Sequence, residues 1–141
     1  MAVIALVSRL LQEHGLRYDS MAEDADLDDI EKVYLRSGGA FKVVENSKGE
    51  IVGTFALYPM QDSACQLRKM YLSPILRGQG LGLRMLRCAV DDARGLGFKK
   101  IVLETANVLK KAIRLYTRFG FKPMDGAPHS KRCDQAYFLD L

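Results

Sequence analysis

Apolar residues recur at helical spacing near the start of the chain, at Ile4, Leu6, Val7, Leu10 and Leu11, and Gly15 follows as a stop signal. The segment 18–29 is acidic and reads as a surface loop. A second, short helix is predicted over 27–35, with Ile30, Val33 and Tyr34 on one side and Gly38 and Gly39 ending it. The period then changes. Phe41, Val43 and Val44 predict a short strand, and Asn46 to Gly49 a hairpin turn, since Asn and Gly tolerate positive φ. Residues 51–57 form the returning strand. Pro59, Asp62 and Ser63 predict the next turn, and 67–72 a third strand ended by Ser73 and Pro74.

The helix after Gly80 carries the clearest pattern. Leu81, Met85, Leu86, Ala89, Val90, Ala93 and Leu96 make one broad apolar stripe, terminated around Gly95 and Gly97. Ile101, Val102 and Leu103 form a continuous apolar run, as expected of a central strand. Leu109, Ala112, Ile113 and Tyr116 predict a further helix, with Gly120 as its cap and Phe121 packing behind it. A last strand is predicted over 136–139. Hairpin-linked early strands followed by helix-separated later ones require a partly parallel sheet. The expectation is a mixed α/β sheet, antiparallel at its N-terminal strands, with flanking helices, in a single domain over 1–141.

Composition agrees with one soluble domain. The 141 residues are 48% apolar and 27% charged, enough to bury a core without staples. A net charge of +4 with both signs interspersed lacks the concentrated basic stripe of a nucleic-acid binder. Cys65, Cys88 and Cys133 are odd in number and far apart, which suggests neither a disulfide framework nor a zinc site. Reduced cysteines, an amphipathic start without a basic leader and no membrane-length apolar run predict a cytoplasmic protein with no membrane association. His14 and His129 have no partner spacing and read as non-catalytic.

One segment carries chemistry. Glycines alternate at 78, 80 and 82 where the strand over 67–72 hands over to a helix. The first N–H groups of a helix lack internal acceptors, and the dipole adds positive charge there. Glycine lets a phosphate approach them closely, and Arg77 and Arg84 add charge-assisted donors. The spacing is not that of the dinucleotide fingerprint, and the Lys-Ser/Thr pair of the nucleotide-hydrolase loop is absent.

Arg77-Gly78-Gln79-Gly80-Leu81-Gly82 resembles the Gln/Arg-x-x-Gly-x-Gly/Ala signature of the GNAT superfamily of acyl-CoA N-acyltransferases. Met70-Tyr71-Leu72-Ser73-Pro74 resembles the strand and turn that lead into it, and Ala112-Ile113-Arg114-Leu115-Tyr116 with Gly120-Phe121 its later tyrosine block. The resemblance implies an N-acetyltransferase that uses acetyl-CoA, with no metal, and an acceptor that is a small-molecule or peptide amine. It implies that pantetheine lies where two parallel strands, 67–72 and 100–105, splay apart. The backbone of Met70, Tyr71 and Leu72 would pair with it, and the Met70 N–H would polarise the thioester carbonyl. The pyrophosphate would rest on the amides of Gly78, Gln79, Gly80, Leu81, Gly82 and Leu83. Tyr116 matches the general acid that protonates departing thiolate; periodicity alone reads it as a core tyrosine. Asn107 is a cofactor contact or an N-cap.

The chain departs from that pattern in two places. Gln66 and Arg68 stand where several members carry a Glu or His base, and neither is a base. Glu104, on the adjacent strand, is the nearest carboxylate candidate, against its reading as a surface carboxylate or an Arg partner; otherwise a water relay takes the amine proton. The basic stretch 126–132 is placed beside the acceptor pocket. The second departure is at the start, where members carry a strand before the first helix. Its lack would expose a sheet edge and favour a homodimer. Besides the enzyme, two other functions fit less well: a non-catalytic acyl-CoA-binding module, which Gln66 keeps open, and incidental nucleic-acid binding from the basic balance.

Overall fold

The computed structural model describes residues 2–13, 15–16, 24–76, 79–125 and 133–141. Six strands form one sheet: β1 (Ala40–Glu45), β2 (Ile51–Pro59), β3 (Ala64–Leu72), β4 (Lys100–Thr105), β5 (Lys122–Pro123) and β6 (Gln135–Asp140). Their order is β1-β2-β3-β4-β6-β5. β3 and β4 are parallel, and every other neighbouring pair is antiparallel. The mixed sheet expected from the order of strands and helices is present.

Three helices cover the sheet: α1 (Ala2–Glu13), α2 (Leu81–Gly95) and α3 (Lys110–Phe119). The stripe on α2 buries Met85, Leu86, Ala89, Val90 and Ala93, whereas Leu96, assigned to the same stripe, lies just past the helix end and is exposed. The stripe packs with α3 on Phe55, Leu57, Cys65, Leu67, Ile101 and Leu103. Leu86, Val90 and Ile101 are out of solvent, each contributing roughly 1.5–3 kcal/mol relative to exposure. On the other face, Val3, Val7 and Leu11 of α1 pack with Leu27, Ile51 and Tyr71. α1 lies over β2 and β3.

The segment predicted as one helix over 27–35 is broken. A 3₁₀ turn covers Ala25–Asp28 and a π turn Glu31–Leu35. Asp29 separates them, its backbone extended (φ −144°, ψ 75°) and its carboxylate accepting the Lys32 N–H at 3.1 Å. That local bond competes with helical pairing. The hairpin turn forms as expected: Asn46 Oδ1 accepts the amides of Lys48 and Glu50, and Gly49 takes φ +77°. β3 begins at Ala64, three residues before the apolar run suggested, because Asp62 and Ser63 both adopt left-handed backbone (φ 60° and 59°) and close the turn early. The strand predicted over 136–139 is β6, and a short strand not foreseen, β5, pairs with it at the sheet edge. At the opposite edge, β1 pairs only with β2 among the described residues.

Candidate active site

β3 and β4 pair from Ala64↔Lys100 to Leu67↔Leu103, and then the pairing stops. Both strands continue, β3 to Leu72 and β4 to Thr105. They diverge because β3 carries a bulge. Its antiparallel register with β2 jumps from Ala56↔Arg68 to Thr54↔Tyr71, so Lys69 and Met70 are paired in neither ladder. Lys69 is left-handed, at φ +54°, a conformation that costs a non-glycine residue about 1–3 kcal/mol. Buried contacts hold it there. The side chains of Lys69 and Asp24 are 5% and 0% exposed, with Nζ 2.5 Å from Asp24 Oδ1. Lys69 Nζ also lies 3.1 Å from Asp26 Oδ1. Asp26 also accepts the Tyr34 hydroxyl, and Thr54 Oγ1 donates to the Lys69 carbonyl at 2.6 Å.

The opening this creates is a cavity of about 400 Å³, a size that suits a small ligand. Met70 and Tyr71 line one wall, Leu103, Glu104, Thr105 and Ala106 the other, and Tyr116 and Cys133 complete it. The structure thus brings together Met70, Tyr71, Glu104 and Tyr116, which the sequence places on three separate elements. Tyr116 is 6% exposed. Its carbonyl accepts the amides of Gly120 and Phe121 (3.2 and 3.0 Å), and its ring lies 5.8 Å from that of Phe121. The predicted glycine cap therefore also fixes the tyrosine. Burial raises the Tyr116 phenol well above its ordinary value, and the neighbouring Cys133 adds to the shift. The hydroxyl keeps its proton at neutral pH.

Beyond Leu72 the chain enters the glycine turn. Arg77 and Gly78 lie outside the described residues. Gln79 and Gly80 are exposed. Gly80 is the N-cap of α2 at φ +76°, with open space where a Cβ would project. Arg84 N–H bonds the Gly80 carbonyl at 3.1 Å, so the amides of Leu81, Gly82 and Leu83 fall in the first turn, which has no intrahelical acceptors. Gly82 has a different reason to be glycine. A Cβ there would meet Leu115 Cδ2 at 3.3 Å, so this position lets α2 approach α3.

Asn107 is not the N-cap of α3; Leu109 is. The Asn107 side-chain oxygen accepts from Lys110 Nζ and Gln135 Nε2 (2.6 and 2.9 Å), while its amide donates to Asp134 Oδ1 at 2.8 Å. Its side chain thus ties the start of α3 to β6. Gln66 is buried and accepts from Arg68 Nε. Glu104 is half-buried and also lines a second cavity of about 420 Å³ beyond Gln66. His14, His129 and the stretch 126–132 lie outside the described residues. The sequence reading missed Lys69, Asp24, Asp26 and the Tyr58–Arg68 contact. Among the described residues no group of three or more His, Cys, Asp or Glu could hold a metal ion, and no helix is long and apolar enough to cross a membrane.

The model of the acetyltransferase (GNAT) family matches residues 7–121. The uncharacterized N-acetyltransferase YjgM of Escherichia coli (strain K12) is 38% identical over 131 residues, spanning 89% of this chain and 78% of that protein. An acetyltransferase of the GNAT family from Staphylococcus aureus Mu50 superposes with a TM-score of 0.91 at 23% identity, covering 99% of this chain and 91% of the other. A GNAT family acetyltransferase from Elizabethkingia anophelis, solved with acetyl-CoA bound, superposes at 0.65 and 22% identity over 84% of this chain and 85% of the other. At these identities the two structures show a shared fold.

Proposed function

Because the chain belongs to the acetyltransferase (GNAT) family and is therefore an acyltransferase enzyme, we propose that it moves an acetyl group from acetyl-CoA to a primary amine by direct attack. The observation that carries this is the opening between β3 and β4, which puts the bulge at Met70 across a cavity from the buried Tyr116. The residues fit the donor. The cavity lies between two strand edges, and the exposed turn around Gly80 leaves the first amides of α2 and its dipole open to anionic oxygens.

Each residue then has a task. The amides of Gln79, Gly80, Leu81, Gly82 and Leu83 hold the pyrophosphate, joined by Arg77 and Gly78. The strand edge at Met70, Tyr71 and Leu72 pairs with the pantetheine amides. The Met70 N–H donates to the thioester carbonyl and offsets the charge that grows on its oxygen. The amine nitrogen bonds to the acetyl carbon as the carbon–sulfur bond breaks. Tyr116 gives its proton to the departing sulfur and is reprotonated, through water, by the second proton that the nitrogen sheds on becoming an amide. An amine of pKa ~10 must lose a proton before it attacks. Gln66 is committed to Arg68 and takes none, so water carries that proton outward past Glu104, the carboxylate on the cavity wall.

The test is release of free CoA from acetyl-CoA when purified protein meets a panel of amines. Release that depends on both the amine and Tyr116 supports transfer. Tight acetyl-CoA binding in calorimetry, with no turnover on any amine, would instead identify a binding module.

A further inference from the structure

The cavity wall on β3 carries two adjacent cations, Arg68 and Lys69, and they are treated differently. Lys69 is ion-paired directly with two carboxylates, Asp24 and Asp26. Arg68 is held by uncharged groups. Its Nε donates to Gln66 Oε1, and its guanidinium carbon sits 4.0 Å from the centre of the Tyr58 ring. Tyr58 stands edge-on to Tyr34, with ring centroids 6.2 Å apart, and Tyr34 is pinned by its bond to Asp26. Among the described residues no ion pair includes Arg68. The Tyr34 hydroxyl is a second neutral partner of the guanidinium, and a guanidinium fixed by stacking and two neutral groups, half out of water, keeps its charge and the rest of its five donors for something else. Such a fork matches a carboxylate, bidentate and charge-assisted.

The donor molecule does not supply that anion. Arg68 lies four residues before the end of β3, roughly 13 Å from the turn into α2, and that turn is where the pyrophosphate is placed. Arg68 also sits beside Gln66 and Tyr58, whereas the neighbouring Leu67 belongs to the core beneath α2 and α3. Side chains alternate along a strand, so Arg68 faces away from those helices. It stands two residues before Met70, on the same cavity wall, within reach of a small molecule whose amine approaches there.

We infer that Arg68 is the specificity-determining residue for an acceptor carrying a carboxylate close to its amine, in the manner of a free amino acid. This rests on the acetyl-transfer reading above. The guanidinium takes the carboxylate, which leaves the neighbouring amine directed toward Met70, with Glu104 on the facing wall beside the same space. Tyr58, Tyr34 and Gln66 serve to hold Arg68 in place before the acceptor arrives, which reduces the ordering cost of binding.

The experiment measures kcat/KM for the wild-type protein on a set of free amino acids, each beside its carboxamide and its decarboxylated amine. The expected result is at least tenfold preference for the free acid for the side chains accepted. Arg68→Gln should reduce that ratio to about one, mainly through KM for the acid, and Arg68→Lys should keep part of it. The affinity of both variants for acetyl-CoA, measured by calorimetry, controls for folding; if Arg68→Gln fails that control, the wild-type preference decides. Equal or better turnover of the carboxamides and decarboxylated amines would overturn the inference and leave acetyl transfer standing. So would a preference for the acid that survives Arg68→Gln. If none of these amines, nor any in the wider panel, releases CoA, the acetyl-transfer reading falls and this inference with it.

Discussion

Tyr116 is held at both ends, its carbonyl by the amides after α3 and its ring against Phe121. That rigidity fixes the residue on the cavity wall. Tyr116→Phe removes only the proton donor. It should lower kcat on the order of 10²-fold or more while the acetyl-CoA dissociation constant stays within about twofold, as read by steady-state kinetics and calorimetry. Unchanged turnover would return Tyr116 to a packing role. The residue was legible in the sequence because its neighbours Ala112, Gly120 and Phe121 share a local pattern with it. Lys69 was not. Two consecutive cations, Arg68 and Lys69, break the alternation of an apolar strand and so hint at a bulge. Yet the Asp24 that answers Lys69 lies 45 positions away, and no local spacing links them.

At the scale of elements, the bulge in β3 and the loop around Asp24 stabilise each other. The loop supplies the carboxylates that keep Lys69 left-handed, and Lys69 makes their burial tolerable. Lys69→Met keeps the bulk but leaves two buried carboxylates without that cation. It should destabilise the fold by about 3–5 kcal/mol, visible as a lower midpoint in urea. A loss under about 1 kcal/mol would mean that the carboxylates find other partners. The long elements were read correctly from period: α2 from its stripe, and β2 and β4 from their β-rich runs. The broken turns between Ala25 and Leu35 were not, because Asp29 and the Tyr34–Asp26 bond override a pattern that reads as continuous helix. A Cβ at Gly82 would press on Leu115, and this contact between the glycine turn and the helix of Tyr116 appears only once α2 and α3 are packed.

For the whole molecule, two buried phenols and the Cys65 thiol, which burial pushes up to about 12, set how it responds to alkali. Burial raises Tyr34, with the Asp26 bond adding to it, and burial raises Tyr116, both above the ordinary 10.0. Below pH 10 both phenols are protonated whether the chain is folded or not, and their contribution is whole. As pH rises through 10 the unfolded chain ionises them and the folded chain does not, so stability falls. The free energy of unfolding should show this loss above pH 10, and replacing Tyr116 with Phe should make the slope shallower. The acceptor was the part of the function least visible in sequence, because the cavity is lined by residues of α1, β3, β4 and α3 that no local motif links. The place where β3 and β4 part company also leaves a mark on solvent exchange. With Met70 in neither ladder, deuterium should enter its amide sooner than those of residues 65–67. Saturating CoA should slow that entry, so the protein would report occupancy of its own cleft without any chemistry taking place.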